Sequence, residues 1–106
     1  MIARNVNMHL KANSSAEFAR MIEKDVIPLL RKQKGFQDEI SFVRPGSQEA
    51  VAISLWDKAE SADAYTRDTY PAVLKALATV LDGTPQVQHL EVCNSTSHKI
   101  AAAVAA

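Results

Sequence analysis

The sequence predicts an α+β sandwich, in which a four-stranded antiparallel sheet carries two helices on one face. Segments with a two-residue period alternate with segments in which apolar residues recur every three or four positions. Their order is strand, helix, strand, strand, helix, strand. The chain has 106 residues, of which 47% are hydrophobic and 23% charged. That length and composition are typical of one domain with a single core.

The first strand is predicted over residues 2–10, where side chains alternate between two faces. The apolar face comprises Ile2, Val6, Met8 and Leu10. The opposite face comprises Asn5, Asn7 and His9. Arg4 is a charged exception on the apolar face. Two asparagines on one central strand predict either a polar pocket or wet contacts between subunits.

The first helix follows the stretch "SSAE", where Ser14 and Glu17 have the spacing of a capping box. Its apolar side chains recur every three or four positions and comprise Phe18, Met21, Ile22, Val26, Leu29 and Leu30. Pro28 lies inside this helix and predicts a bend near Lys24, because proline removes one backbone hydrogen bond. Gly35 is expected to end the helix.

A β-hairpin is predicted next, formed by "FQDEISFVR", the turn "PGSQE" and "AVAISLW". In its first strand, Phe36, Ile40 and Phe42 alternate with polar residues. The second helix is expected to begin near Asp57 or Ser61. Pro71 divides it into a short turn carrying Tyr65 and a longer helix that reaches Leu81.

Gly83 is expected to be a left-handed cap, and "QVQHLEVC" is predicted to be the last strand. Residues 94–106 have no evident partner and are expected to be a tail, either loose or lying on another subunit. With crossovers of the usual hand, this order gives the ferredoxin-like βαββαβ sandwich, with the first and last strands adjacent.

The predicted sheet has apolar side chains on both faces, but two helices cover only one of them. A second copy of the chain is the simplest cover for the other face. The sequence therefore predicts a homodimer through the open sheet face, forming a dimeric α/β barrel.

The charges exclude some classes of partner. Twelve Lys and Arg balance twelve Asp and Glu, so no affinity for nucleic acid or an anionic membrane is expected. No segment approaches the roughly 20 apolar residues that span a bilayer. Cys93 has no second cysteine to pair with, and the first residues lack the apolar run of a signal peptide, so a cytoplasmic location is expected.

Three segments carry a resemblance to a known family: "KGFQDEISFVRPG", "VAISLWDKAESADAY" and "TYPAVLKAL". They resemble the antibiotic biosynthesis monooxygenase-like family of dimeric α/β barrels, over residues 2–93. The resemblance implies one domain over residues 1–93, followed by the tail 94–106. Members of that family include cofactor-free oxygenases of phenolic polyketides, haem-degrading enzymes, quinol oxygenases and small proteins with no known reaction.

The resemblance also implies site residues. Asn5 falls at the position of a pocket asparagine in the haem-degrading members, and Tyr65 falls at the position of their pocket tryptophan. Lys75 falls at the position of their haem-ligating histidine. A protonated lysine is a poor iron ligand, so no haem is expected, and the function implied is that of the cofactor-free members.

The chemistry then implied is oxidation of a small aromatic or polyketide-like substrate by a cofactor-independent monooxygenase. His9 or His89 is the expected base, with Asn5 as a catalytic partner. Substrate contacts are expected from Asn5, Asn7, Trp56, Tyr65 and Tyr70. His9, His89 and Glu91 would cluster if their strands agree in register and face, but no metal-ligand pattern is present.

A second interpretation stays open, so the sequence does not establish that the protein is an enzyme. The chain could be a non-catalytic dimeric module that binds a small ligand or serves a structural purpose. In that case Trp56, Tyr65 and Tyr70 would fill the pocket with their own rings. Trp56 in particular is the kind of large ring that closes the corner between a strand and a helix.

Overall fold

The protein is described by a computed structural model over residues 1–100. Its strands are all antiparallel and lie in the order β2-β3-β1-β4. In chain order the elements are β1 (Ile2–His9), α1 (Ser15–Met21), a π-helical segment (Ile22–Val26), α2 (Ile27–Arg31), β2 (Phe36–Val43), β3 (Glu49–Trp56), α3 (Ala59–Asp68), α4 (Tyr70–Leu77) and β4 (Gln86–Glu91). The predicted ferredoxin-like sandwich is confirmed, including the pairing of the first and last strands.

The two faces of the sheet differ in what covers them. On β1, Arg4, Val6 and Met8 are buried beneath the helices, and we call this the helix-side face. The intervening positions point the other way, because side chains alternate along a strand. Asn7 and His9 are exposed there, on what we call the open face.

A β-bulge at the start of β2 reverses the expected orientation of that strand. Phe36 pairs with Trp56, but Asp38 already pairs with Leu55, so one extra residue is inserted between them. Phe36 therefore packs against Trp56, whereas Ile40 and Phe42 lie on the open face and are 55% and 46% exposed. The prediction that these three apolar side chains share a face is wrong for this reason.

The first helical region runs without a break from Ser15 to Arg31, as predicted. The π-helical segment is followed directly by α2, and Pro28 lies in the first turn of α2. Proline cannot donate the backbone hydrogen bond that would continue an ordinary α-helix, so the widened turn falls where the bend was predicted. The capping box is not formed, because Ser14 makes no side-chain cap and Glu17 instead pairs with Arg20.

The second helical region divides where Pro71 predicted, but the lengths are reversed. Tyr65 lies on α3, which has ten residues, and the helix that holds Pro71 in its first turn, α4, has eight. Helix α4 ends at Leu77 and does not continue to Leu81 as predicted. Leu81 instead forms an isolated β-bridge with Leu10. Gly83 has the predicted left-handed conformation, with φ at 86°.

The described part of the tail returns to its own chain. His98 contacts Asp38, which lies on the open face. Asp38 belongs to β2, and β2 and β4 are the two opposite edge strands of the sheet. The segment after β4 therefore reaches across the open face near its Leu55 end. The rest of the predicted tail, 101–106, lies outside the described residues. Within residues 1–100, every helix is too short or too polar to cross a membrane.

Candidate functional site

Four polar side chains lie side by side across the helix-side face of the sheet. Glu39 pairs with Ser54, Ser54 with Arg4, and Arg4 with His89, so all four strands contribute one member. We call this set the polar row. Neighbouring strands are about 4.8 Å apart, so the backbones at Glu39 and Arg4 are separated by about 10 Å. Arg4 and Ser54 are buried beneath the helices, Glu39 is half-buried and His89 is exposed at the edge strand.

Arg4 is the most buried charged residue of the row, with only 2% of its surface exposed. Its Nε donates a hydrogen bond to Thr66 Oγ1 at 3.0 Å, and Thr66 in turn donates to the carbonyl of Ala62 at 2.9 Å. Arg4 Nη2 is buried and has no hydrogen-bond partner among residues 1–100. Within residues 1–100, no carboxylate forms an ion pair with this guanidinium.

Aromatic rings form the wall next to Arg4. The guanidinium carbon lies 4.0 Å from the centre of the Tyr70 ring and 5.1 Å from that of Tyr65. Tyr65 stacks on Trp56 with ring centres 5.0 Å apart. Trp56 is fully buried, and its Nε1 donates to Ser54 Oγ at 2.9 Å. Cation–π contacts of this kind contribute about 0.5 to 2 kcal/mol each, so the rings stabilise part of the buried charge.

A cavity of about 40 Å³ lies between the polar row and the helices. Its polar lining is contributed by Arg4, Glu39, Ser54, Tyr65 and Tyr70. The apolar lining includes Ile22 and Val26 of the π-helical segment, together with side chains of α4. A water molecule needs roughly 10 to 15 Å³ on this measure, so the cavity holds a few atoms and not a drug-sized ligand.

Burial shifts the pKa of each acid beside the cavity. It raises the pKa of the Glu39 carboxyl above its usual value, although a hydrogen bond from Ser41 offsets part of this effect. Burial also raises the pKa of Tyr65 to about 12, against the lowering effect of the Arg4 charge. Burial likewise raises the pKa of Tyr70, against the lowering effects of the Arg4 charge and of a hydrogen bond with Arg4. Glu39 is therefore the carboxyl beside this cavity whose pKa is shifted toward neutral pH.

The residues predicted for the site divide between the two faces. Tyr65 and Tyr70 line the cavity, and Trp56 supports it from behind. Asn5 pairs with Ile53 and Gln88 on the open face, and Asn7 lies on that face too. The expectation that Asn5 and Tyr65 border the same pocket is wrong, because Asn5 follows Arg4 and adjacent strand residues point to opposite sides.

The two candidate histidine bases are also separated. His9 lies on the open face opposite Glu49, whereas His89 lies on the helix-side face beside Arg4. His89 Nδ1 is 3.8 Å from Asp63 Oδ1, and Glu91 pairs with Ile2 at the end of the sheet. The predicted cluster of His9, His89 and Glu91 is therefore not formed, because His9 and His89 lie on opposite faces of the sheet.

Arg4, Glu39 and Ser54 were not predicted as site residues. Arg4 carried a visible signal, since it interrupts the apolar face of a central strand. Glu39 carried none, because the bulge that turns it toward the helices cannot be recognised from alternation alone. Among residues 1–100, no group of three or more His, Cys, Asp and Glu side chains is placed to hold a metal ion.

No protein family matches the chain by its sequence, and no curated protein matches it either. Solved structures of low identity do share its fold. A proposed antibiotic biosynthesis monooxygenase from Bordetella bronchiseptica is 14% identical with a TM-score of 0.75, covering 88% of this chain and 97% of its own. A protein of unknown function from Nitrosomonas europaea is 20% identical with a TM-score of 0.72, covering 95% and 94%. The predicted resemblance is thus confirmed at the level of the fold.

A third structure with this fold is a mutant form of MhuD, solved with two manganese protoporphyrin IX molecules per active site. It is 13% identical with a TM-score of 0.74, covering 91% of this chain and 98% of its own. The residues of this chain do not fit a porphyrin. The cavity of about 40 Å³ is far smaller than the roughly 300 to 1,000 Å³ of ordinary ligand pockets, and Lys75 is exposed on α4.

Proposed function

We propose that the protein is a cofactor-independent monooxygenase of the antibiotic biosynthesis monooxygenase-like family, acting on a small aromatic or polyketide-like substrate. The observation that carries the proposal is the carboxyl of Glu39 beside a largely apolar cavity that Tyr65 and Tyr70 also line. A general base works best when its pKa lies near the operating pH, and burial moves the pKa of Glu39 in that direction. The shared fold supports the family assignment.

In the proposed reaction Glu39 accepts the proton of a phenol or enol whose hydroxyl group enters the cavity. The resulting anion transfers an electron to molecular oxygen, and one oxygen atom bonds to the substrate carbon. The other oxygen atom leaves as water, so a phenol becomes a quinone and oxygen is reduced. Tyr65 and Tyr70 hold substrate oxygens through their hydroxyl groups, and the buried rings exclude water.

This proposal changes the roles first expected of the polar residues on β1 and β4. Asn5, Asn7 and His9 become residues of the open face, where they would contact a partner subunit. Asn7 and His9 are exposed on that face, as such a contact requires. His89 stays a second candidate base because it neighbours Arg4 in the polar row.

Oxygen uptake tests the proposal. Metal-free protein should consume oxygen with at least one member of a panel of phenols and enols. Glu39→Gln should lower the rate about 100-fold or more, because general-base catalysis typically contributes that much. Glu91→Gln is the matched control and should leave the rate unchanged, since Glu91 is an exposed residue at the end of the same sheet.

Two further variants separate the proposed site from the one first predicted. His9→Ala and Asn5→Ala should keep the oxygen uptake, because neither side chain borders the cavity. Uptake that survives Glu39→Gln but is lost in His9→Ala would overturn the assignment of Glu39. A panel without any uptake would favour the alternative function.

That alternative is a dimeric module without catalytic activity, which binds a small ligand or is purely structural. The small volume of the cavity favours it, since the stacked Trp56 and Tyr65 rings occupy space that a substrate would need. Both functions share the proposed homodimer. Its support is the open face, where Ile40, Phe42 and Leu90 are each between 46% and 55% exposed.

A further inference from the structure

The guanidinium of Arg4 is buried with an incomplete set of partners. An arginine side chain has five N–H donors and no acceptor. Here Nε donates to Thr66 Oγ1, whereas the buried Nη2 has no acceptor in the described part of the chain. Leaving a buried donor unsatisfied costs about 1 to 3 kcal/mol, and more when the donor is charged. The folded chain therefore bears a cost at this position that a suitable ligand would remove.

The cavity gives that ligand a place. Arg4 and both tyrosines line it, and the neighbouring walls come from apolar side chains such as Val6 and Leu77. Its volume of about 40 Å³ corresponds to roughly three water-sized positions, which is the size of one carboxylate group. Arginine binds planar oxyanions particularly well, because its N–H groups form a fork that matches two oxygen atoms.

We propose that the cavity is an anion site, in which Arg4 holds the anionic group of a small organic ligand, either the two oxygens of a carboxylate or the single oxygen of a phenolate. The inference deepens the proposed function by naming the class of ligand, and it rests on the same cavity. The centre of the Tyr70 ring lies 4.0 Å from the guanidinium carbon, and this contact keeps the guanidinium in place. The rest of a larger ligand would need to displace Tyr70 or the half-buried Leu74.

Acetate and acetamide provide a matched pair of probes, because they have nearly the same shape but differ in charge. Trp56 is the only tryptophan and stacks on Tyr65, so its fluorescence reports on the cavity wall. Acetate should change this fluorescence in a saturable manner, and acetamide should bind at least tenfold more weakly. Equal binding of the two probes, or no saturable change with acetate, would overturn the proposal.

Variants of Arg4 test which residue holds the anion. Arg4→Met should weaken acetate binding about tenfold or more, because one charge-assisted contact is lost. The variant should stay folded, since replacing a buried charge by an apolar side chain of similar length is often neutral or stabilising. Arg31→Met is the matched control at an exposed position and should bind acetate as the unchanged chain does. A folded Arg4→Met protein with unchanged acetate affinity would contradict the proposal.

A coloured phenol distinguishes the two sources of oxyanion. If the site takes phenolates, the protein should increase the phenolate absorbance of 4-nitrophenol at a pH where the free compound is mostly neutral, and acetate should reverse this change. Acetate binding without that effect would assign the site to carboxylates. Neither measurement involves oxygen, so loss of the anion site and absence of the proposed oxidation are separate results.

Discussion

At the scale of single residues, the unusual positions are those where charge lies inside the helix-side face. Arg4 and Glu39 both border the cavity, but a serine separates them in the polar row and they form no ion pair. The buried cation is stabilised by two aromatic rings, whereas the carboxyl accepts a hydrogen bond from the Ser41 hydroxyl and forms no ion pair within residues 1–100. Burial without a cationic partner is the physical reason that the pKa of Glu39 is raised.

This raised pKa predicts a pH-dependent effect on stability. The folded protein holds the Glu39 proton at pH values where the unfolded chain, with a pKa of about 4.3, has already lost it. The contribution of Glu39 to stability is therefore lost as pH rises from that value through the folded pKa. Glu39→Gln removes this loss, so the variant should unfold at a higher temperature than the unchanged chain at pH 7.

The difference should disappear near pH 4, where Glu39 is protonated in the folded protein. Thermal unfolding at the two pH values measures it. Glu23→Gln is the control, because Glu23 is exposed on the first helical region and should show no such dependence. A Glu39→Gln variant that is less stable at pH 7 would show that the carboxylate is stabilised rather than strained by its surroundings.

At the scale of elements, the corner between the first helical region and β2 is held by a close contact. Gly35 adopts φ of 84°, and its carbonyl accepts a hydrogen bond from the Asp57 backbone at 2.8 Å. A Cβ atom at Gly35 would meet the Asp57 carboxylate and come within 2.7 Å of Ser61 Cβ. Two separate costs therefore oppose any side chain at this position.

Gly35→Ala and Gly46→Ala separate these two costs. Gly46 also has a positive φ, 72°, but a Cβ atom there would have open space around it. Gly46→Ala should lower the free energy of unfolding by about 1 kcal/mol from backbone strain alone. Gly35→Ala should lose at least about twice as much, because the collision adds to the strain. Urea unfolding measures the free energy of unfolding of both variants. Equal losses in Gly35→Ala and Gly46→Ala would contradict this account.

The elements also show what the sequence could predict. Period and turn residues were sufficient for the strands, the division at Pro71 and the bend before Pro28, because these depend on local backbone chemistry. The orientation of β2 was not predictable, since one inserted residue exchanges which side chains face the helices. Glu39 was missed for that reason. Asn5 was placed in the pocket by the family resemblance, whereas its alternation with Arg4 and Val6 puts it on the open face.

At the scale of the whole molecule, the sheet gives its two faces different surroundings. The helix-side face encloses the cavity beneath the helices, whereas the open face presents Ile40 and Phe42 to solvent. A sheet face with apolar side chains of this size is typical of an interaction surface. We therefore expect ligand binding on one side of the sheet and self-association on the other.

Neighbouring residues of β2 test this division, because Glu39 points to the cavity and Ile40 to the open face. Light scattering at micromolar concentration should give twice the chain mass of 11.6 kDa for the unchanged protein. Ile40→Glu should give a folded monomer, because a charge would be buried at the interface. Glu39→Gln should stay dimeric. A monomeric unchanged protein, or an Ile40→Glu variant that is still a dimer, would contradict the assignment of the open face to a second copy.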